Sequence, residues 1–218
     1  MRAQPPPPGR SSSGDPVTRR VLDVVAAALL LIVLLPLLLA VAFWIRLDDG
    51  GPPLLRQQRV GRDGRPFTFY KFRTMSVGGD DRAHRSLIAA ELRGEDTVCA
   101  GSTKIDDDPR ITGPGRILRR TSVDELPQLF NVLRGDMALV GPRPCLEWEA
   151  AMFPAEFAAR FSVRPGITGL WQVRGRSRLG TLDMLRLDLE YVRTRCLRLD
   201  LAILAGTVLT LLRTDGAR

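Results

Sequence analysis

Hydrophobic positions along this chain fall into two continuous runs, separated by a long middle of mixed periodicity. The first run, Val21–Ile45 within "RRVLDVVAAALLLIVLLPLLLAVAFWIR", is interrupted only by Asp23 and Pro36. At 1.5 Å per residue it is long enough to cross a bilayer. Three arrangements compete. As a secretory signal it has a basic start and the small-residue triplet Ala40-Val41-Ala42, but its apolar part is longer than such signals use. A single crossing conflicts with the positive-inside bias, because Arg19 and Arg20 precede the run while Arg46, Arg56, Arg59 and Arg62 follow it. A re-entrant hairpin resolves that conflict: Pro36 breaks the helix, the chain turns back, and both basic flanks stay on one side. Arg20 and Asp23, three residues apart, would then pair near the interface.

The second run, in "LDLAILAGTVLTLLR" at the C-terminal end, is too short to span and reads as a core or interface helix. Residues 1–16 are rich in Pro, Ser and Gly and read as a disordered tail. In the middle, "LLRQQRVGRDGRPFTFYKFRTM" predicts two short strands around an Asp63-Gly64 turn. "DDRAHRSLIAAELRG" predicts an amphipathic helix ending at Gly94, and "STKIDDDPRITGPG" a loop. Helices are predicted over about 115–119, 123–133, 147–161 and 181–195, with an irregular "VRPGITGLWQV" segment before the last. The expected fold is α+β: a mainly helical domain over 47–214 with a small β-hairpin, anchored by a helix–break–helix segment over 17–46.

A net charge of +8 and a pI near 10.5 point to anionic partners, whether nucleic acid, phospholipid or a phosphorylated small molecule. All but Lys71 and Lys104 of the 32 basic residues are arginine, the side chain suited to bidentate phosphate recognition, although a GC-rich genome favours Arg codons too. Cys99, Cys145 and Cys196 are far apart and odd in number, which gives no zinc spacing and no disulfide framework. His84 is the sole histidine and lies in a polar stretch, so Ser-His-Asp and Cys-His mechanisms are disfavoured.

The stretch "TSVDELPQLFN" (121–131) places two adjacent carboxylates, Asp124 and Glu125, between arginines and a proline. A capping box from Ser122 to Glu125 accounts for the glutamate, but not for Asp124 or for the flanking cations. Asp106-Asp107-Asp108 invites comparison with an Asp-x-Asp metal motif, although acidic triplets before "PR" are usually solvated turns. "GPGR" at 113–116 lacks the strand–loop–helix context of a phosphate loop and reads as a turn. Arg116, Arg119 and Arg120 share one helical face, and Arg143 and Arg164 sit beside Pro/Gly turns.

"KFRTM" (71–75), "DPRITGPGRILRRTSVDELPQLFNVLRGDMALVGPRP" (108–144) and "RPGITGLWQVRGRS" (164–177) closely resemble the bacterial sugar transferase family, the monotopic polyprenyl-phosphate phosphoglycosyl transferases. The resemblance runs from about residue 18 to the C-terminus and includes the proline-broken apolar run, although Leu35 precedes Pro36 where some members carry Ser. It implies a minimal catalytic form without the extra N-terminal membrane helices of larger members. Asp124 is then the nucleophile and Glu125 its partner. Asp124 attacks the β-phosphorus of a UDP-sugar and releases UMP, and polyprenyl (undecaprenyl) phosphate takes the sugar phosphate from the aspartyl intermediate. The resemblance further implies Mg²⁺, with Asp124 as protein ligand ahead of Asp106–Asp108. Arg119, Arg143 and Arg164 become phosphate contacts. Lys71 and Arg73 are either further phosphate contacts or structural parts of the hairpin, and Gln172 and Arg176 are candidate nucleotide or sugar contacts. "GLWQV" hints at a hexose such as glucose or galactose. The implied partners are a UDP-sugar, polyprenyl phosphate and membrane lipid, with no nucleic acid. The implied location is the cytoplasmic face of a bacterial inner membrane, at the first membrane step of exopolysaccharide or other glycoconjugate assembly. A non-enzymatic membrane scaffold and a basic nucleic-acid-binding module are the competing classes. The second lacks a recognition motif and has only 6% aromatic residues.

Overall fold

A computed structural model describes residues 17–76, 82–95, 110–175 and 179–212. Helix α1 (Val17–Asp49) takes up the first apolar run as one element. The expected break at Pro36 is not found: two helices over 17–46 are replaced by a single helix that continues through the proline. Proline removes one backbone N–H and crowds the carbonyl four residues back, which bends a helix without ending it when both flanks are held by packing. Both flanks are held here. Ala27 and Leu31 before Pro36 are buried, as are Leu38, Val41 and Ile45 after it. Ile32, Val33, Leu39 and Phe43 point outward and are exposed, and α1 is long and apolar enough to cross a membrane.

Both ends of α1 are tied to the rest of the protein. Near its start, Arg20 donates to the carbonyls of Val132 (2.6 Å) and Leu133 (2.9 Å), and Arg19 pairs with Asp200 at 3.3 Å. Asp23 accepts from the Leu139 N–H at 3.3 Å. Arg20 and Asp23, expected to serve each other at a membrane interface, thus each reach into the domain. At the other end, Asp49 takes both terminal nitrogens of Arg73, whose Nε donates to the Pro52 carbonyl at 2.8 Å.

The hairpin forms as its alternation predicts. Strands β1 (Leu54–Val60) and β2 (Pro66–Phe72) pair antiparallel, with Leu54 opposite Phe72 and Val60 opposite Pro66. Asp63 (φ 57°) and Gly64 (φ 73°) take the left-handed conformations that make the turn, and both residue types tolerate them. After α2 (Arg82–Leu92) and α3 (Gly113–Thr121), α4 (Gln128–Arg134) crosses the hairpin. Asn131, fully buried, gives its Nδ2 to the Thr68 carbonyl (2.7 Å) and takes the Tyr70 N–H on Oδ1 (3.1 Å). A side chain thereby satisfies strand groups that a third strand would otherwise need to meet.

The "GPGR" stretch is the first turn of α3, capped by the Thr112 hydroxyl on the Gly115 N–H at 3.0 Å. A Cβ on Gly115 would lie 2.1 Å from the Thr74 carbonyl oxygen, so glycine lets α3 dock against the residues that follow β2. The remaining elements are β3 (Ala138–Val140), α5 (Glu147–Met152), β4 (Gly166–Thr168), α6 (Leu170–Arg174), α7 (Thr181–Thr194) and α8 (Leu197–Leu212). β3 and β4 pair in parallel, and β4 lies inside the segment expected to be irregular. Three residues per strand are too few to show a period. The helix expected over 147–161 ends before Pro154, and a 3₁₀ stretch, Ala155–Ser162, follows. The architecture is α+β and mainly helical, with a main core and a smaller cluster of Val60, Cys145, Ala150 and Phe161. In the main core, Leu118, Leu129, Val132 and Met137 pack with Phe69 and Phe72 of the hairpin and with the buried side of α1.

Cys145 is buried and Cys196 exposed, and burial pushes the Cys145 thiol above its ordinary pKa. Maleimide treatment of the native protein at pH 7.5 should therefore modify Cys196 and spare Cys145 until denaturant is added. Peptide mass mapping reads both sites, and early modification of Cys145 would contradict this packing.

Candidate active site

Helix α3 ends at Ser122, which adopts a left-handed conformation (φ 58°) and turns the chain into a 3₁₀ turn, Val123–Glu125, ahead of α4. The expected capping box between Ser122 and Glu125 is not made, because an N-cap needs extended backbone and Ser122 is instead the reversal point between two helices. Glu125 is left to bond elsewhere, and the turn aims Asp124 inward.

Asp124 is only 3% exposed. Its Oδ2 lies 2.6 Å from Lys71 Nζ, and its Oδ1 has no bonding partner among the described residues. Lys71 comes from β2, whose position Asn131 fixes against α4. Glu125 Oε1 accepts from an Arg143 terminal nitrogen at 2.9 Å. The Glu125 carboxylate holds the Arg143 guanidinium pKa above its ordinary value. Arg143 lies in the "GPRP" loop that follows β3. This loop sits directly on the chain before β4, since a Cβ on Gly141 would come within 2.5 Å of the Arg164 carbonyl oxygen. Cations from two separate elements therefore flank two adjacent carboxylates. A buried carboxylate without such a partner costs several kcal/mol.

The other expected site residues divide. Arg119 sits half-buried in the last turn of α3, and its guanidinium has no partner among the described residues. Arg164 donates from Nε to the Gly135 carbonyl (2.9 Å) at the far end of α4. Gln172 Nε2 donates to the Ile167 carbonyl (3.1 Å), while its buried Oε1 has no partner. Arg73 has the contacts of the structural alternative. It is buried, with Nε on the Pro52 carbonyl and both terminal nitrogens on Asp49, so it fastens the end of α1 to the hairpin. Arg176, Asp106–Asp108 and the side chain of His84 lie outside the described residues.

The chain pattern also misses contributors. Asn131 carries a faint signal, as the one polar side chain in the apolar run "LFNVL". Arg160 and Asp188, both nearly fully buried and paired at 2.8 Å, carry none, because no sequence period connects residues 28 apart.

The arrangement suits nucleophilic chemistry on an anionic ligand. One oxygen of Asp124 is clamped by Lys71, the other has no bonding partner among the described residues, and Arg143 lies on the neighbouring carboxylate. No cluster of three or more Asp, Glu, His or Cys side chains exists among the described residues. Two adjacent carboxylates nevertheless fit Mg²⁺, an ion that takes one or two protein carboxylates and completes its shell with phosphate oxygens and water.

Most of the chain is similar to known proteins. Residues 15–214 match the family described as bacterial sugar transferase. A UDP-glucose:undecaprenyl-phosphate glucose-1-phosphate transferase of Caulobacter vibrioides is 47% identical over 185 residues, covering 81% of this chain and 62% of that protein. An undecaprenyl-phosphate galactose phosphotransferase of Salmonella typhimurium is 41% identical over 182 residues, again 81% of this chain but 37% of its own length. The exopolysaccharide production protein ExoY of Sinorhizobium fredii is 38% identical over 167 residues, 75% of this chain and 72% of its own. The chain thus spans less than two thirds of the first two.

Replacing Lys71 by Met should strand the Asp124 carboxylate and destabilise the fold by about 2 kcal/mol. For a domain of this size that is a fall in Tm of about 4–8 °C. Adding Asp124→Asn to that variant should restore most of the loss. Thermal melts of the four proteins in detergent test the pairing, and simple additivity would disprove it.

Proposed function

Because the chain belongs to the bacterial sugar transferase family, we propose that it transfers a sugar 1-phosphate from a UDP-sugar to polyprenyl phosphate with release of UMP. The observation that carries this reading is Asp124, held through Oδ2 by Lys71, beside a Glu125–Arg143 pair. The relatives' names point to UDP-glucose and UDP-galactose as the donors to try first. ExoY's name places such a step in exopolysaccharide production.

The steps balance as follows. Asp124 Oδ1 forms a bond to the β-phosphorus, and the bond from that phosphorus to the oxygen bridging the two phosphates breaks, the electron pair leaving with UMP. An oxygen of polyprenyl phosphate then attacks the same phosphorus, and the Asp124 carboxylate is released. The barrier to the first step is charge. Two like charges 4 Å apart repel by about 4 kcal/mol at an effective dielectric of 20. Lys71 offsets the charge of the nucleophile. Arg143, and Arg119 with no partner among the described residues, are the cations we assign to the diphosphate. Mg²⁺, held by Asp124 or Glu125, would supply further charge on the phosphate oxygens when bound.

We also read α1 as re-entrant, with both ends at the cytoplasmic face of the inner membrane. Its end residues support this. Arg20 grips Val132 and Leu133, the neighbouring Asn131 grips β2 at Thr68 and Tyr70, and Arg73, just past β2, grips Asp49. A straight helix would set Arg20 and Asp49 about 43 Å apart. That short chain of contacts reaches so far only with every link extended in one line. A bend at Pro36, inside the bilayer, accommodates both ties. Helix α8 fits the same plane. Its inner face carries Asp200 and Thr207, whereas Leu201, Ala202, Ala205, Val208 and Leu209 face outward. A surface helix with polar residues inside and apolar ones outside suits a lipid interface.

Two outcomes are expected. Incubation with UDP-glucose or UDP-galactose and Mg²⁺, without lipid, should add one hexose phosphate to the protein by intact mass. The adduct should map to Asp124, be absent from Asp124→Asn, and fail to form in excess EDTA. Kinetics that demand a ternary complex, with an unmodified Asp124, would refute the covalent step. Separately, in a cysteine-free background, Ser12→Cys in intact spheroplasts should resist an impermeant maleimide and react only after lysis. Labelling from outside would mean that α1 spans.

A further inference from the structure

The loop that carries Arg143 is held at four successive carbonyls, 142 to 145. The Pro142 oxygen accepts from the Gly166 N–H (2.9 Å), that of Arg143 from Arg160 (2.9 Å), that of Pro144 from Arg59 (3.3 Å) and that of Cys145 from the Val60 N–H (2.9 Å). The prolines at 142 and 144 add fixed φ angles. Of these four contacts, the one from Arg160 attaches to Arg143 itself.

Arg160 has the surroundings of a part built for one geometry. It is 5% exposed and sits in the 3₁₀ stretch Ala155–Ser162. Nε and one terminal nitrogen bond to Asp188 Oδ2 of α7 at 3.1 and 2.8 Å, and the other terminal nitrogen lies 3.2 Å from Cys145 Sγ. Phe153 and Phe161 enclose the guanidinium, each ring centre 5.1 Å from Cζ. A buried ion pair is by itself weak evidence for stability, because well-packed apolar residues of the same volume often hold a fold as firmly. Apolar residues cannot, however, donate a hydrogen bond to the Arg143 carbonyl.

We propose that Arg160, oriented by Asp188, is a positioning residue for Arg143. It fixes the backbone point from which Arg143 reaches Glu125 and, in the transfer reaction, the diphosphate. The inference rests on the transferase reading above. Its physical basis is leverage: Arg143 is a long side chain, and its contact with Glu125 spans the gap between two elements, so a shift of the loop moves the guanidinium with it. A misplacement of about 1 Å in such a group is enough to cost on the order of 100-fold in rate.

The test compares Arg160→Lys and the charge-neutral pair Arg160→Met/Asp188→Leu, each in the wild-type and in the Arg143→Ala background. Hexose phosphate transfer is followed in detergent, and melting curves report folding. With Arg143 present, both replacements should lower kcat by about 10–100-fold with little change in Tm for the neutral pair. With Arg143→Ala they should change the residual rate less than about twofold, since there is no guanidinium left to position. Equal losses in both backgrounds would assign Arg160 a purely structural role and overturn the proposal. So would full activity with Arg143 present, or failure of both replacements to fold. No transfer by the wild-type protein would instead remove the underlying reading, and the proposal with it.

Discussion

A carboxylate buried inside the domain is the constraint around which this protein is arranged. Asp124 is almost entirely enclosed, and the ion pair with Lys71 is what makes that enclosure tolerable. The neighbouring elements follow from the need to bring one lysine to one aspartate from distant parts of the chain. Lys71 arrives on β2, and Asn131 bolts β2 to α4 through its backbone. Asp124 arrives on the turn between α3 and α4. Gly115 allows α3 to close on the residues after β2, so both partners are held against the same strand. Removing the side chain at 115 thus shapes a contact several residues away from it.

The membrane helix is part of this arrangement. Ala27, Leu31, Leu38, Val41 and Ile45 enter the same core as Met137 and Val132, and polar groups at both ends of α1 bond to backbone of the domain or to Arg73. Hydrophobic residues of α1 therefore divide between two sides. One is buried in protein, and the other, with Ile32, Val33 and Phe43, remains exposed. Arginines whose donors lock onto fixed oxygens secure the seam, Arg20 at one end and Arg73 at the other.

Much of this was legible in the chain, and the failures have physical causes. The hairpin, the α3 and α7 helices and the acid pair follow from strong local signals: alternation, an Asp-Gly turn, and adjacent carboxylates among arginines. The Ser122–Glu125 capping box was not borne out, since the same residue pattern serves a helix-to-helix reversal once Ser122 turns left-handed. For Arg73 the chain left a phosphate contact and a structural role both open, because its charge was visible and its partner Asp49, 24 residues away, was not. The parallel β3–β4 pair is too short to show a period. Arg160 and Asp188 have no local signature at all, because a tertiary contact between an irregular stretch and a helix leaves no spacing to read.

The choice of cation at each place is informative in a chain with two lysines among 32 basic residues. Arginine appears where a rigid fork is wanted: Arg20 on two successive carbonyls, Arg73 on a carboxylate and a carbonyl, Arg160 on a carboxylate, a sulfur and a carbonyl. Those contacts have no reason to change as the protein works. The nucleophile candidate is paired with a lysine instead, a compact charge on a flexible stem that makes a single contact with one oxygen. A carboxylate that takes up a phosphoryl group gains new oxygens and loses its own charge, so its partner has to follow the charge outward. A point cation with free torsions does this with a small rotation, whereas a bidentate guanidinium would have to give up two aligned hydrogen bonds together. Rigid forks around the site and an ammonium on a flexible stem at its centre suit the covalent phosphoryl transfer proposed for Asp124.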